Sequence, residues 1–259
     1  MPDAFADSGR PISQADFNDA CDKLAVNDAS LWAILTVETK GFGYLPDRRP
    51  KILFERHIFS ARTGGAFDAS HPDISGPRGG YIGGPAEYDR LNRAIALNRP
   101  AALESASWGL AQIMGFNATT IGYADAEAMV NAFVKSEAGQ LEGCVKFVLA
   151  NNSLHDALKS RVWDRVAFHY NGKDYAQNAY DKKLADNYTL FVSGHAPAIA
   201  LRSAQVYLSY LGYDPHGIDG VMGPGTRGAL TQFQTAQKLP VTGELDAATA
   251  SRLESLANC

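Results

Sequence analysis

The chain has 259 residues, a formal net charge of −4, 46% hydrophobic and 20% charged residues. That length accommodates one large domain or two modest ones, and the composition builds a core without disulfide staples. The absence of a basic tract excludes a nucleic-acid partner, and no apolar run approaches the roughly 20 residues a membrane-spanning helix needs. An acidic protein gains nothing from long-range steering toward an anionic target, so recognition must rest on shape and local contacts. Cys21, Cys144 and Cys259 are odd in number and widely spaced; they imply neither a disulfide framework nor a zinc site, and free thiols in a reducing compartment are expected. The first ten residues, Met1 to Arg10, show no basic start followed by an apolar stretch, which argues against a secretory signal and for a protein made and held in the cytoplasm.

In chain order, Ser13 with Asp16 reads as a capping box for a helix through Leu24. Ser30 is expected to cap a second helix, Leu31 to Thr39, with Gly41 and Gly43 past its end. Short strand signals sit at Ile52–Phe54 and Leu110–Met114. Phe59 to Gly84 is crowded with Gly and Pro and reads as loops and turns. A helix follows over Glu87–Leu97, and Pro100 marks a break, with a further helical turn over Ala101–Glu104. Met129, Val130, Phe133, Leu141, Val145 and Val148 give helical spacing from Ala126 to Leu149, interrupted near Gly139. Arg161–Tyr170 and Tyr175–Phe191 read as two closing helices. Ser193-Gly194-His195-Ala196-Pro197 is a small, helix-breaking linker, which divides the chain into modules 1–193 and 199–259. The second module reads as three helices: Ile199–Leu211, Thr226–Gln237 and one beginning after Asp246. A glycine-rich turn, Asp219 to Thr226, joins the first two. No internal repeat is evident.

Glu38 is the first residue that points to chemistry. The helix before it, Leu31-Trp32-Ala33-Ile34-Leu35-Thr36-Val37, is apolar on nearly every face and is therefore expected to be buried. Its carboxyl sits at the negative end of the helix dipole. Both effects hold the proton on at neutral pH, as a general acid requires. His57, His71 and His169 lack metal-ligand spacing, so no metal is expected. Trp108, beside a glycine, is expected in the core rather than stacked on a ligand.

Three segments occur in order: Val37-Glu38-Thr39, then Ser107-Trp108-Gly109-Leu110-Ala111-Gln112-Ile113-Met114, then Ala167-Phe168-His169-Tyr170-Asn171-Gly172. Together they resemble goose-type lysozymes and lytic transglycosylases of the lysozyme superfamily. With Leu53-Phe54-Glu55-Arg56-His57-Ile58-Phe59 added, the first module more closely resembles the N-acetylmuramidase family of phage endolysins. The resemblance implies a mainly α, lysozyme-like α+β catalytic domain with a small β element. It implies Glu38 as the general acid. Ser107, Gly109 and Gln112 would wall a sugar cleft, with Gly109 letting the backbone approach substrate. Tyr170 and Asn171 would hydrogen-bond substrate or orient the acid. His169 stands where the family usually has alanine.

Glu55 is the best second carboxylate. An inverting glycosidase needs a base roughly 6.5–9.5 Å from the acid to activate water. The alternative is a scaffold role for Glu55, paired with Arg56, His57, Arg48 or Arg49. Asp68, Asp73 and Glu104 are rivals for the base. The second module resembles the three-helix peptidoglycan-binding domain through Gly217-Ile218-Asp219-Gly220, Gly223, Thr226, Ala229-Leu230, Phe233-Gln234 and Thr242-Gly243. Most of these are architectural: Asp219-Gly220 sets the turn, and Thr226 is expected to cap the next helix.

The whole implies a monomeric, cofactor-free peptidoglycan hydrolase of the endolysin type. It would cut the β-1,4 bond between N-acetylmuramic acid and N-acetylglucosamine and so lyse bacteria. Such an enzyme waits in the host cytoplasm until a holin releases it to the wall. The alternatives are a lytic transglycosylase giving 1,6-anhydromuramyl ends, a secreted antibacterial effector, or a wall-binding protein without turnover.

Overall fold

In the computed structural model, which describes residues 5–258, helices dominate and a small antiparallel sheet sits among them. Cys259 lies outside the described residues; Cys21 and Cys144 are free, buried thiols. The first helix, α1 (Gln14–Leu24), starts from the expected capping box, in which Ser13 and Asp16 satisfy each other's backbone N–H. The second, α2 (Asp28–Thr39), begins three residues earlier than the sequence suggested. Asn27 is its cap and accepts from the Ser30 N–H at 3.0 Å. Both residues are good caps; starting at Asn27 places Ala29, Ser30 and Leu31 inside the buried helix.

The strands β1 (Ile52–Phe54), β2 (Ala106–Trp108) and β3 (Ile113–Met114) form one sheet in that order, with Ile52 opposite Trp108 and Ser107 opposite Met114. The expected strand at Leu110–Met114 is only Ile113–Met114, and Ala106–Trp108, which the sequence did not suggest, pairs with it across a tight turn. Gly109 (φ +70°) and Gln112 (φ +48°) make that turn, and left-handed backbone at both ends does not continue a strand. Between β1 and β2 lie α3 (Arg56–Arg62), the glycine-rich loop, α4 (Glu87–Leu97) and α5 (Arg99–Glu104). Pro100 opens α5 rather than breaking the chain, because Asn98 caps the helix and proline's missing N–H is tolerated in the first turn.

The long helical stretch that follows is two helices, α6 (Ala126–Lys135) and α7 (Glu137–Leu149). The break falls at Ser136, not near Gly139. Extended Ser136 (φ −161°, ψ 156°) caps α7 through the Gly139 N–H. Gly139 stays helical, where a Cβ would meet the Ala132 carbonyl oxygen at 2.5 Å. Helix α8 (Asn152–Ser160) lies in a stretch given no element from sequence; α9 (Trp163–Asn171) and α10 (Tyr180–Leu190) follow. Trp32, Trp108, Phe54, Phe59, Leu91 and Val148 are among the residues of the core these elements share.

After a wide turn at Phe191–His195 come α11 (Ile199–Tyr210), α12 (Pro224–Ala236) and α13 (Ala247–Ala257). Here a repeat appears that the sequence reading passed over. On α11 the Gln205 carbonyl accepts from the N–H groups of Asp219 and Gly220, and its amide donates to the Thr226 hydroxyl. On α12, Gln234 does the same with Thr242, Gly243 and Thr249. A glutamine pinning a turn and a buried threonine is used twice, with little else of the sequence in common. Thr226 is therefore not a cap: it lies inside α12, is buried, and donates to the Pro215 carbonyl. Asp219 and Gly220 (φ +70°) form the turn as expected.

The terminal helices share a buried face with the rest. Phe42 and Tyr44, from the loop after α2, belong to the cluster formed by Leu208, Leu230, Phe233 and Leu253. At the centre of that face Arg202 and Glu137 are both 0% exposed and meet through two hydrogen bonds, of 2.9 and 2.5 Å. Removing one partner of a buried pair strands the other charge, at a cost of about 3–5 kcal/mol. Arg202→Met is therefore expected to lower unfolding free energy by about that amount in a denaturant titration. A change below about 1 kcal/mol, the range of solvent-exposed pairs, would mean that water reaches the pair.

Candidate active site

One cleft, with a volume of about 620 Å³, gathers Glu38, Glu55, Ser107, Gln112, Tyr170 and Asn171 from separate parts of the chain. Gly109 alone among the expected cleft residues of the first module does not line it. Gly109 is buried, and a Cβ there would meet the Gln140 side chain at 2.6 Å, so its close approach is to α7 rather than to a ligand. The rivals of Glu55 also stay outside the cleft. Asp68 accepts from Ser60 and Ser75, Asp73 pairs with Arg93, and Glu104 pairs with Arg62.

Glu38 sits in the last turn of α2, whose preceding face is packed in the core. Its carboxyl makes no hydrogen bond or ion pair among the described residues. Burial pushes its pKa up to about 8. Around it stand Tyr170 on α9, Cys144 on α7 and Tyr180 on α10. All are neutral groups whose own ionisation burial opposes, so none supplies a counter-charge. The arrangement is a carboxylic acid that keeps its proton at neutral pH and presents it to a cleft.

Glu55 has the opposite surroundings. It immediately precedes α3, and its Oε2 accepts from the Tyr81 hydroxyl at 2.7 Å. His57 Nδ1 lies 3.1 Å from the same oxygen but out of line for a hydrogen bond. Oε1 has no partner among the described residues. Neither Arg48 nor Arg49 holds Glu55: Arg48 reaches the Ala257 carbonyl and Arg49 pairs with Asp47. Arg56 turns away and ties down the glycine loop through the Pro77 and Pro72 carbonyls. That loop delivers Tyr81 and Arg78 to the cleft. It is fixed from below by Glu87, which is 0% exposed and accepts from Ile82 and Gly83 N–H groups, from Phe54 N–H and from Arg90.

Ser107, Gln112 and Tyr170 are committed to the protein. The Ser107 hydroxyl donates to Gln112 Oε1, the Gln112 amide donates to the carbonyls of Lys51 and Gly109, and the Tyr170 hydroxyl donates to the Ala111 carbonyl at 2.7 Å. They line the cleft with their polar groups satisfied within the protein. Asn171, the last residue of α9, faces the cleft. His169 does not line it; its ring packs edge-on against Phe168. Trp108 is fully buried, with its indole N–H donating to the Leu103 carbonyl. Sequence reasoning missed Arg78, Tyr81, Asp174, Tyr175 and Tyr180, all of which line the cleft. Tyr81 was legible in principle, since an aromatic between Gly79-Gly80 and Gly83-Gly84 has no regular element to pack it into a core.

The model of the N-acetylmuramidase family matches residues 27–192. The chain belongs to the N-acetylmuramidase family. Residues 200–253 match the putative peptidoglycan binding domain. The solved endolysin of Burkholderia phage AP3 is similar at 45% identity and a TM-score of 0.65, over 71% of this chain and 72% of that one. The localization factor PodJL of Caulobacter vibrioides is 46% identical over 68 residues, which is 25% of this chain but only 7% of that protein. The endolysin-like fold thus carries both a muramidase segment and a segment of the peptidoglycan-binding type. Asp219 and Gly220 of the latter line a second cavity, of about 520 Å³, beside α2 and α10, whereas Gly223 and Thr226 do not.

The state of Glu38 is measurable without substrate. Folded Glu38 keeps its proton up to about pH 8, whereas an unfolded glutamate loses it near 4.3. Between those values the native state binds more protons, so stability from this group is full below about pH 4 and is lost as pH rises toward 8. Glu38→Gln is neutral in both states. Its Tm relative to the parent should be flat below about pH 4 and climb steadily to about pH 8. A difference that does not vary with pH would show a solvated carboxyl.

Proposed function

We propose that this muramidase hydrolyses the β-1,4 bond between N-acetylmuramic acid and N-acetylglucosamine with inversion, using Glu38 as general acid and Glu55 as general base. The observation that carries the reading is the contrast between two carboxyls in one cleft: Glu38 is desolvated and unpartnered, Glu55 is hydrogen-bonded to Tyr81 with one oxygen free. The Glu38 proton passes to the glycosidic oxygen as the bond to C1 breaks. Water attacks C1 from the other face and gives its proton to Glu55. Exchange with solvent then returns both groups to their starting states. The Tyr81 hydroxyl holds the Glu55 carboxylate in one orientation and leaves Oε1 for the water. Residues 199–259 would hold the enzyme on the polymer and raise its effective concentration there. The same reading has a monomer act on the wall after a holin releases it, and lyse the cell.

Mass spectrometry of soluble products from purified peptidoglycan tests the reaction. Reducing N-acetylmuramic acid ends are expected; 1,6-anhydromuramyl ends would instead make this a transglycosylase, in which the muramyl hydroxyl replaces water. Glu38→Gln should reduce turnover by at least ~100-fold with the fold intact. In the parent, kcat/KM should fall above about pH 8, where the acid loses its proton. Near-parental turnover by Glu38→Gln would remove Glu38 from the mechanism.

For Glu55 the expected pattern is different. Glu55→Ala retains the proton donor and loses the base, so kcat should fall roughly 100- to 10,000-fold with little change in KM. Azide, which needs no deprotonation, should partly restore turnover. If the variant instead melts earlier and keeps its kcat, Glu55 is scaffold for the Tyr81 loop.

A further inference from the structure

The peptidoglycan-binding segment places a side chain against the end of the helix that carries Glu38. Fully buried Arg202, on α11, donates through Nε to the Gly41 carbonyl at 2.6 Å. Gly41 is three residues beyond Glu38. The other two guanidinium nitrogens hold Glu137, and Glu137 in turn accepts from the Gly43 N–H at 3.0 Å. Arg202 also lies over the rings of Trp32 and Phe42, at 5.7 and 5.4 Å. The turn it grips is not a relaxed one. Lys40 has φ +58° and Gly41 φ +80°, so two successive residues are left-handed. A lysine in that region needs surrounding contacts to hold it there. Thr39 is fixed on the opposite side: its hydroxyl donates to the Leu110 carbonyl, and its own carbonyl accepts from Lys51.

We propose that Arg202 is a positioning residue for Glu38, so that the peptidoglycan-binding segment completes the active site and is not a detachable tether. The inference rests on the assignment of Glu38 as general acid. One planar group bonds to the turn after the acid and to the carboxylate that holds the same turn from below. Lysine cannot do both, because its single nitrogen lacks the fork geometry. Loss of the grip lets the Lys40–Gly43 turn relax and water reach Glu38. Tyr170, Cys144 and Tyr180 face the acid from the other packed helices and offer no charge to replace what is lost.

The test uses the full chain and soluble tetrasaccharide fragments of peptidoglycan, which need no anchoring to the wall. Two variants are compared: Arg202→Lys, and the double variant Glu137→Gln with Arg202→Gln. The double variant keeps hydrogen-bonding groups at both positions and strands no charge, so it is the one expected to fold if the first does not. Circular dichroism at the assay temperature establishes which are folded. In each folded variant kcat should fall roughly 10- to 100-fold, the effect of a misplaced catalytic group. KM should stay within about 2-fold, since uniform binding is untouched. The alkaline limb of kcat/KM should move below that of the parent as Glu38 becomes hydrated. Sedimentation with insoluble walls should be unchanged. A folded variant with parental kcat and an unmoved alkaline limb would overturn the proposal, as would a loss of wall binding with full activity on fragments. If the parent itself releases no reducing ends, or Glu38→Gln stays active, the fault lies with the underlying mechanism and not with Arg202.

Discussion

The buried carboxylate of Glu137 is the point on which the arrangement turns. It lies in the first turn of α7 and accepts four hydrogen bonds: from Ile12 N–H, from Gly43 N–H and twice from Arg202. Those donors come from the N-terminal segment, the loop after α2 and the first helix of the peptidoglycan-binding segment. A buried carboxylate with fewer partners would carry a large desolvation cost. Each of the three segments is therefore held in place by the same requirement. Phe42 and Tyr44 follow from it, since the loop that reaches Glu137 carries both aromatic rings into the second cluster.

Three glutamates at helix ends show how environment divides the work of one side chain. Glu87, at the start of α4, also accepts four hydrogen bonds and fastens the loop that bears Tyr81. Glu87 and Glu137 both sit where the helix dipole is positive and free N–H groups are at hand. Glu38 sits at the opposite, negative end of its helix and accepts no hydrogen bond among the described residues. The first two are structural because every lone pair is used. The third retains a proton because its burial is offset by no hydrogen bond among the described residues. Neither Glu87 nor Glu137 drew attention in the sequence, where a surface glutamate is the ordinary expectation.

Legibility followed the range of the interaction. Local signals were read well: the Ser13–Asp16 box and the helix over Glu87–Leu97 depend on near neighbours. Glu38 was legible because its own helix is apolar all round, a property of seven adjacent residues. The family resemblance then brought Glu55, Ser107 and Tyr170 together before any geometry was available. What was misread depends on distant partners. Gly109 was given to substrate, when the side chain of Gln140, far along the chain on α7, is what its missing Cβ accommodates. The helix break went to Gly139 instead of Ser136, because glycine's low propensity outweighed a serine cap that only the Arg10 pairing reveals. The Gln205 and Gln234 repeat escaped because few residues recur in it, and each glutamine bonds a turn N–H and a threonine hydroxyl that are well separated from it in sequence.

The cleft itself is assembled from two kinds of support. On the acid's side the neighbours are covered by the core and by groups already satisfied within the protein, such as Tyr170 on Ala111 and Gln112 on Lys51. On the Glu55 side the support is a glycine-rich loop, open to solvent and fixed at two points by Arg56 and Glu87. The asymmetry suits the proposed chemistry. A group that must hold a proton needs dry, unyielding walls, while a group that must hold water needs access to solvent. Tyr81 is 44% exposed, so the loop offers a polymer an aromatic edge at the entrance. A glycan strand that lay over it would close off the Glu55 side only when bound. Under the proposed roles, the desolvation of Glu38 is built into the fold, and that of Glu55 would be supplied by the substrate.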